Sequence, residues 1–172
     1  MKFFSGFCLN NEKDVFKEYL EDNEFVVAGF SKGAQDAVDY AINSNNRIDK
    51  LQLLSPAFFN YSKKLVDINL NAFKKDKRKY IDTFLSKAGL LKENSKWKLE
   101  NYYLDVKYNC NEEELLSLLT FNWEKIKKIK DIKIEIFLGE YDKIIALKKA
   151  EEFFSNFGEI YFIKKANHFL RS

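Results

Sequence analysis

The order of apolar runs along the chain restricts its fold more than any other property of the sequence. Five short runs have the composition of buried strands, and segments with helical spacing of apolar residues separate several of them. The runs cover residues 2–7, 24–30, 48–58, 132–142 and 159–169. Strands that alternate with helices favour a parallel sheet with helices on its faces. We therefore expect an α/β fold with about five mostly parallel strands and flanking helices.

Three helical segments are expected between these strands. Apolar residues recur at helical spacing over 15–20, 34–42 and 146–157. Asn10 or Asn11 can cap the first segment with its side-chain oxygen. Each segment follows a predicted strand directly, which is the order that places helices against a parallel sheet.

Residues 57–130 interrupt the alternation between the third and fourth strands. Pro56, the only proline, ends the third strand. Helix-like apolar stripes follow at roughly 63–90 and 111–130. Because this segment is rich in apolar residues, we predict an inserted helical cap rather than a disordered loop. No repeat or linker is visible, so residues 1–172 are expected to form one domain that carries this cap.

The segment Gly29-Phe30-Ser31-Lys32-Gly33 matches the pattern G-x-S-x-G, and it lies between a predicted strand and a predicted helix. A strand that turns sharply into a helix brings the residues two before and two after the serine together, where a Cβ would clash. The alternative is a glycine-flanked loop with a helix-capping serine. The chain has only six glycines, and two at this spacing favour a nucleophilic Ser31.

A serine nucleophile needs a base, and the chain has a single histidine, His168. It follows the last predicted strand, at the sheet edge where ligands bind in such folds. A carboxylate should orient the imidazole. Asp142 follows the fourth strand and is the preferred candidate, because Gly139 and the turn let it leave the strand; Glu140 is the alternative. The alternative interpretation is that each of these residues is an ordinary buried or solvated side chain without a catalytic role.

Ser31, Asp142 and His168 occur in the chain order of the α/β-hydrolase triad. Over nearly its whole length the chain resembles an α/β-hydrolase, in a trimmed form with an inserted helical cap. The resemblance implies a serine hydrolase that needs no cofactor. No metal-ligand spacing occurs in the sequence, so no metal is expected.

The resemblance also implies an oxyanion hole made of two backbone N–H groups. One belongs to the residue after the nucleophile, here Lys32. The other comes from the loop after an early strand, which here includes Ser5, Gly6 and Phe7, so the Phe7 amide is the candidate. Ser5 stands where the superfamily often has histidine, which weakens the match at this loop but leaves the backbone donors in place.

A narrower resemblance is to the short pimeloyl-[acyl-carrier-protein] methyl ester esterases of biotin synthesis. It rests on the compact chain and on the motifs FFSGF, GFSKGAQDAVDYA, LLSPAFF, FLGEYD and NHFL. It implies hydrolysis of the methyl ester of pimeloyl-carrier protein, which yields methanol and a free carboxylate. The implied partner is an acyl carrier protein that bears a methyl-pimeloyl group.

A basic cluster in the predicted cap gives this acidic partner a possible docking site. It consists of Lys74, Lys75, Lys77, Arg78 and Lys79. A cationic patch can steer an acidic protein, although a solvated helix face is the ordinary reading. The net charge of +3 and the lack of an aromatic and basic RNA-binding module argue against nucleic acid as the partner.

Two other functions fit the same motifs. Another serine esterase or an acyl thioesterase would use the same three residues on a different substrate. A catalytically inactive hydrolase fold that serves as a binding module would keep the fold and lack turnover.

The sequence indicates no disulfide framework for its two cysteines, Cys8 and Cys110, and we expect two reduced thiols in a cytoplasmic protein. The N-terminal apolar run is too short for a signal peptide. No stretch reaches the ~20 apolar residues of a membrane span, so no membrane association is predicted.

Overall fold

The computed structural model describes residues 1–172. Eight strands alternate with five α-helices and two short 3-10 segments. The strands are β1 (Lys2–Phe4), β2 (Val26–Phe30), β3 (Lys50–Leu54), β4 (Leu91–Glu93), β5 (Lys96–Leu99), β6 (Tyr102–Leu104), β7 (Lys133–Gly139) and β8 (Glu159–Ile163). The helices are α1 (Lys32–Asn43), α2 (Lys63–Lys75), α3 (Lys77–Ala88), α4 (Glu112–Thr120) and α5 (Leu147–Phe154). The 3-10 segments are Glu12–Phe16 and Trp123–Lys128.

The main sheet has five strands in the order β1-β2-β3-β7-β8, and every neighbouring pair is parallel. The predicted strands are confirmed, although each is shorter than the apolar run that predicted it. The interior strand β2 is buried along its whole length, which explains why its sequence is continuously apolar. Because all five strands point the same way, their carboxyl ends meet at one edge.

The sheet separates two apolar clusters. On one face, α1 and α5 pack against alternate residues of the central strands, such as Leu53 and Ile136. On the other face, Leu54 and Phe137 contact the 3-10 segment Glu12–Phe16 and much of the insertion. Successive side chains of a strand point to opposite faces of the sheet, so neighbouring residues of one strand belong to different clusters. The helix expected over residues 15–20 is therefore wrong in type: a 3-10 turn supplies Val15 and Phe16 to the core instead.

The insertion between β3 and β7 differs from the predicted all-helical cap. Its helical stretches lie where expected, but the first is broken into α2 and α3 at Asp76, whose side chain accepts a hydrogen bond from the Lys79 amide and so caps α3. Strands β4, β5 and β6 form an antiparallel sheet that was not predicted. In β5, buried Trp97 and Leu99 alternate with exposed Lys96 and half-buried Lys98, as expected for a strand with one covered face. None of the helices is long and apolar enough to cross a membrane.

The prediction of two reduced thiols is wrong, because Cys8 and Cys110 form a disulfide. The loop after β1 lies along the chain that precedes α4, where the Lys107 amide donates to the Cys8 carbonyl oxygen at 2.8 Å and Leu9 pairs with Val106. These contacts bring two cysteines 102 positions apart into bonding range, with Cα atoms 5.8 Å apart. The sequence carries no local signal for such a distant pairing.

A buried carboxylate lies near the opposite end of the sheet. Glu135 on β7 is 5% exposed and accepts a hydrogen bond from Gln52 at 2.9 Å. Lys50 and Lys133 pair with its other oxygen at 3.1 and 2.8 Å. Burial alone would raise the pKa of Glu135, but hydrogen bonds from Lys133, Gln52 and Lys50 outweigh it and lower that pKa below its usual 4.5. The charged form is thus the one that stabilises the fold.

Candidate active site

Four loops at the carboxyl edge of the main sheet meet at one place. Phe7 follows β1, Ser31 follows β2, Asp142 follows β7 and His168 follows β8. Because the carboxyl ends of the parallel strands lie together, residues up to 161 positions apart in the sequence meet at this edge. This edge is where α/β folds place ligands.

The turn that holds Ser31 is strained. Ser31 has φ 54° and ψ −113°, a conformation that non-glycine residues rarely adopt. A Cβ on Gly29 would lie 2.1 Å from the Gly33 carbonyl oxygen, and a Cβ on Gly33 would lie 2.0 Å from the Phe4 carbonyl oxygen. Both glycines are therefore required by close backbone approach. The second contact also presses the turn against the end of β1.

Ser31, His168 and Asp142 form one hydrogen-bonded chain. His168 Nε2 lies 2.9 Å from Ser31 Oγ, and His168 Nδ1 lies 2.6 Å from Asp142 Oδ2. The other carboxylate oxygen of Asp142 accepts the Ile144 amide at 2.8 Å. Ser31 and His168 are each 1% exposed, and Asp142 is 9% exposed. The three predicted residues are thus brought together with the geometry of a serine, base and orienting acid.

Glu140, the alternative acid, lies outside this chain. It is exposed, and its carboxylate accepts the Lys165 amide at 2.7 Å. The Tyr141 amide donates to the Ala166 carbonyl oxygen at 2.8 Å across the same two loops. Glu140 therefore fastens the loop that carries His168 to the loop that carries Asp142. It orients the site from outside and does not touch the imidazole.

Two backbone N–H groups are available beside Ser31. Lys32 is the first residue of α1, where helix amides lack an intrahelical acceptor. The Phe7 amide, in the loop after β1, makes no hydrogen bond. Because Gly33 packs on the Phe4 and Ser5 carbonyl groups, this loop lies directly against the serine turn. The predicted oxyanion donors therefore come from adjoining segments, and the Lys32 side chain is occupied elsewhere, in an ion pair with Asp36.

A cavity of about 450 Å³ lies near the hydrogen-bonded chain; Phe7, Phe84 and Ile144 line it, whereas Ser31, Asp142 and His168 do not. Phe7 and Phe84 line its inner part, and the Phe84 ring is 6.5 Å from the His168 ring. Ile144, whose amide binds Asp142, also lines it. The other apolar lining residues are Phe59, Tyr61, Ala72, Tyr80, Leu115, Leu118 and Leu119. The insertion supplies most of this wall, so it covers the site as a cap would.

One polar pair lies within the apolar lining. The Tyr80 hydroxyl donates to Asn69 Oδ1 at 2.7 Å, and the Asn69 amide group donates to the Leu65 carbonyl oxygen. Burial, with a smaller contribution from Tyr61, raises the pKa of Tyr80 to about 12. Tyr80 therefore stays neutral at physiological pH and adds no charge to the cavity.

The predicted basic cluster is divided by the break at Asp76. Lys74 pairs with Glu112 at 3.0 Å, Lys77 lies over the Phe73 ring and Arg78 lies over the Tyr108 ring. Only the remaining two members of the cluster, Lys75 and Lys79, line the cavity.

Lys87 and Lys143 join Lys75 and Lys79 around the cavity, and both were missed from the sequence. None of these four lysines forms an ion pair. Lys79, Lys87 and Lys143 also line a neighbouring open groove that contains Lys165. Lys87 is eight residues after Lys79 on α3, a spacing that places both on one helix face. Lys143 comes from a distant loop, so no local pattern revealed it.

Gln35 links the serine turn to the insertion and was also missed. It is 2% exposed on α1, and its amide group donates to the Ala57 carbonyl oxygen at 3.0 Å and to the Leu118 carbonyl oxygen at 2.9 Å. It therefore joins α1, the helix directly after Ser31, to the segment that follows β3 and to the cavity wall. The sequence did contain a signal for this role, because Gln35 is a polar residue among alanines and a valine on the buried face of α1.

The parallel sheet, the serine turn after β2 and the covering helices give this chain an α/β-hydrolase fold. Solved structures with similar folds include the esterase EaEST from Exiguobacterium antarcticum, at 17% identity and a TM-score of 0.62. MenH from S. aureus aligns at 13% identity and a TM-score of 0.60. Est816, described as an N-acyl homoserine lactone degrading enzyme, aligns at 12% identity and a TM-score of 0.64. At these identities the likeness establishes the fold alone.

The alignments cover most of this chain and less of its neighbours. They span 91% of this chain and 63% of EaEST, 96% and 85% for MenH, and 97% and 85% for Est816. The chain thus covers less than two thirds of the length of the esterase. No protein-family model and no curated protein sequence matches it.

Proposed function

We propose that the protein is a serine carboxylic ester hydrolase. The observation that carries this proposal is the buried chain of hydrogen bonds from Ser31 through His168 to Asp142. It lies on a strained turn, beside free backbone N–H groups and an apolar cavity. A serine held only for structural reasons would need neither the strain nor an aligned base.

The geometry supports a two-step mechanism. His168 Nε2 takes the proton of Ser31 Oγ as that oxygen attacks the ester carbonyl carbon. The Phe7 and Lys32 N–H groups stabilise the negative charge on the carbonyl oxygen. His168 then gives the proton to the departing alkoxide, and the alcohol leaves. His168 then deprotonates a water that attacks the acyl-enzyme, and it returns this proton to Ser31 Oγ as the acid leaves. Asp142 stabilises the imidazolium each time it forms.

The proposed substrate is the methyl ester of pimeloyl-carrier protein, with methanol as the leaving alcohol and biotin synthesis as the setting. The largely apolar cavity, which Phe7 and Phe84 line on the side of the candidate site, suits a methylene chain that carries the ester at its far end. The free lysines at the cavity suit the anionic groups at the other end of such a substrate. The proposal also takes the resemblance to the short esterases described above as support.

The acyl carrier protein is the proposed partner. We propose that it docks on Lys75 and Lys79, which were predicted, together with Lys87 and Lys143. Lys74, Lys77 and Arg78 are less suited to this role, because an acidic residue or an aromatic ring already engages each of them. An ionic-strength dependence of KM is expected for such a surface, because salt screens exposed charges.

A carrier-protein substrate also favours the cytoplasm as the proposed location. Cytoplasmic reductants oppose disulfides. In that compartment the bond between Cys8 and Cys110 would therefore be exposed to reduction. Whether the two cysteines are reduced or disulfide-bonded in the cell is a direct test of the location.

The deciding experiment incubates the purified protein with methyl-pimeloyl carrier protein and measures methanol and the free carboxylate. Turnover by the wild type and its loss in Ser31→Ala are expected. An unchanged methyl ester alongside hydrolysis of p-nitrophenyl butyrate would reject this substrate and keep the esterase. An acyl thioesterase would instead release the acid from the carrier thiol.

A fluorophosphonate probe separates an enzyme from an inactive binding module. Ser31 should be labelled in the wild type, and labelling should disappear in Ser31→Ala and fall strongly in His168→Ala, with circular dichroism unchanged. Absence of labelling in the folded wild type would reject the hydrolase.

A further inference from the structure

Glu12 is a buried acid that the mechanism above does not use. It is 0% exposed and begins the first 3-10 segment. Its Oε1 accepts the Gly6 amide at 2.6 Å, while its Oε2 is buried without a hydrogen-bond partner. Burial raises the pKa of Glu12, opposed by the hydrogen bond from Gly6. Burying a carboxyl group with one oxygen unsatisfied costs free energy, so an apolar residue would serve a purely structural role better.

The Gly6 amide lies in the middle of the loop that carries the Phe7 N–H. Gly33 contacts the carbonyl oxygens of Phe4 and Ser5 on one side of this loop. Glu12 holds the next amide, that of Gly6, on the other side. The Gly6 carbonyl group is also engaged, by the Leu9 amide at 3.1 Å. The backbone is therefore fixed on both sides of the Gly6 peptide, while the Phe7 N–H, like those of Ser5 and Cys8, makes no hydrogen bond.

We propose that Glu12 is a positioning residue for the oxyanion hole. By taking the Gly6 N–H, it fixes the peptide plane that precedes Phe7 and keeps the Phe7 N–H free and directed to the site beside Ser31. This inference rests on the proposed esterase function. It assigns Glu12 no contact with substrate and no proton transfer.

The expected effect lies in the chemical step. Removal of one oxyanion donor lowers kcat by about 10²–10³ in well-studied serine hydrolases. Displacing the donor without removing it should lower kcat of Glu12→Ala by about 10- to 100-fold, with KM changed by less than about 3-fold, because the cavity is untouched. Glu12→Gln keeps a carbonyl oxygen for the Gly6 N–H and should stay within about 5-fold of the wild type.

The experiment compares wild type, Glu12→Ala, Glu12→Asp and Glu12→Gln with p-nitrophenyl butyrate. Asp14→Ala is the matched control, since Asp14 is an exposed acid on the same 3-10 segment. Glu12→Asp keeps the carboxyl group but shortens the side chain, so it should lose kcat as Glu12→Ala does. If Glu12→Ala does not fold, the comparison of Glu12→Asp with Glu12→Gln carries the test.

Amide hydrogen exchange of Gly6 gives a readout that does not depend on esterase activity. Gly6 should exchange slowly in the wild type and in Glu12→Gln, and faster in Glu12→Asp and Glu12→Ala. Unchanged kcat in folded Glu12→Asp and Glu12→Ala would overturn the inference, as would Glu12→Gln as inactive as Glu12→Ala. A wild type without turnover rejects the esterase, and Gly6 exchange then still decides whether Glu12 fixes the loop.

Discussion

Removing the disulfide between Cys8 and Cys110 should lower the free energy of unfolding by several kcal/mol and leave the fold in place. The bond closes a loop of 102 residues. In the chain-entropy account, a loop of this length restricts the unfolded chain enough to stabilise the fold by about 4.7 kcal/mol. Domains are typically stable by about 5–15 kcal/mol, so this is a large share.

Noncovalent contacts across the same junction should keep the reduced protein folded. The Lys107 amide still binds the Cys8 carbonyl oxygen, and Leu9 still pairs with Val106. Asn11 adds a further link, because its side-chain oxygen accepts the Asp105 amide at 2.7 Å. Losses of native disulfides commonly cost about 2–5 kcal/mol. We therefore expect a loss of about 3–5 kcal/mol.

Urea unfolding followed by far-UV circular dichroism measures this loss. The samples are the oxidised wild type, the wild type with dithiothreitol, and Cys8→Ala/Cys110→Ala. The chain has no other cysteine, so the reductant should not affect the double variant. Equal unfolding midpoints for oxidised and reduced wild type would refute the reasoning. Two thiols that titrate in the oxidised, denatured protein would refute the bond itself.

Three further changes test the site and the sheet. Asp142→Asn should lower kcat by about 10⁴-fold, because an amide favours the wrong tautomer of His168. Gly33→Ala should destabilise the fold by about 1–3 kcal/mol and abolish probe labelling, since its Cβ would strike the Phe4 carbonyl oxygen. Glu135→Gln should cost about 1.5–3 kcal/mol at pH 7. Because the pKa of Glu135 is lowered on folding, this cost should shrink as the pH falls below about 4.5.

Each of these changes has a measurement that can contradict it. Steady-state kinetics of Asp142→Asn within 10-fold of the wild type would argue against an orienting acid. Normal stability and labelling of Gly33→Ala would show that the turn can relax. A stability difference for Glu135→Gln that persists unchanged at pH 3, measured by urea unfolding, would mean that its effect comes from packing.

Local sequence patterns predicted the features that depend on a single strand or a single helix. Continuous apolar runs predicted the five main strands, because central parallel strands are buried on both faces. The same logic placed Ser31, Asp142 and His168 at one edge, since each follows a strand. Which acid faces the imidazole was also predictable, because Gly139 allows the chain to turn before Asp142.

The features that were missed depend on contacts between distant segments. The disulfide joins residues 102 positions apart, and the two missed lysines at the cavity, Lys87 and Lys143, come from α3 and from the loop after β7. Strands β4, β5 and β6 are only three or four residues long, too short for a clear period. Nothing in the sequence singled out Glu12, and only the path of the loop after β1 shows why it is buried.

The single histidine of the chain makes the candidate site directly observable by magnetic resonance. Every imidazole signal in a spectrum of the intact protein must come from His168. Its two nitrogens contact Ser31 and Asp142, so their ¹⁵N shifts report the tautomer and the protonation state of the whole hydrogen-bonded chain. Substrate binding, acylation and each variant can therefore be followed from one residue, without any engineered label.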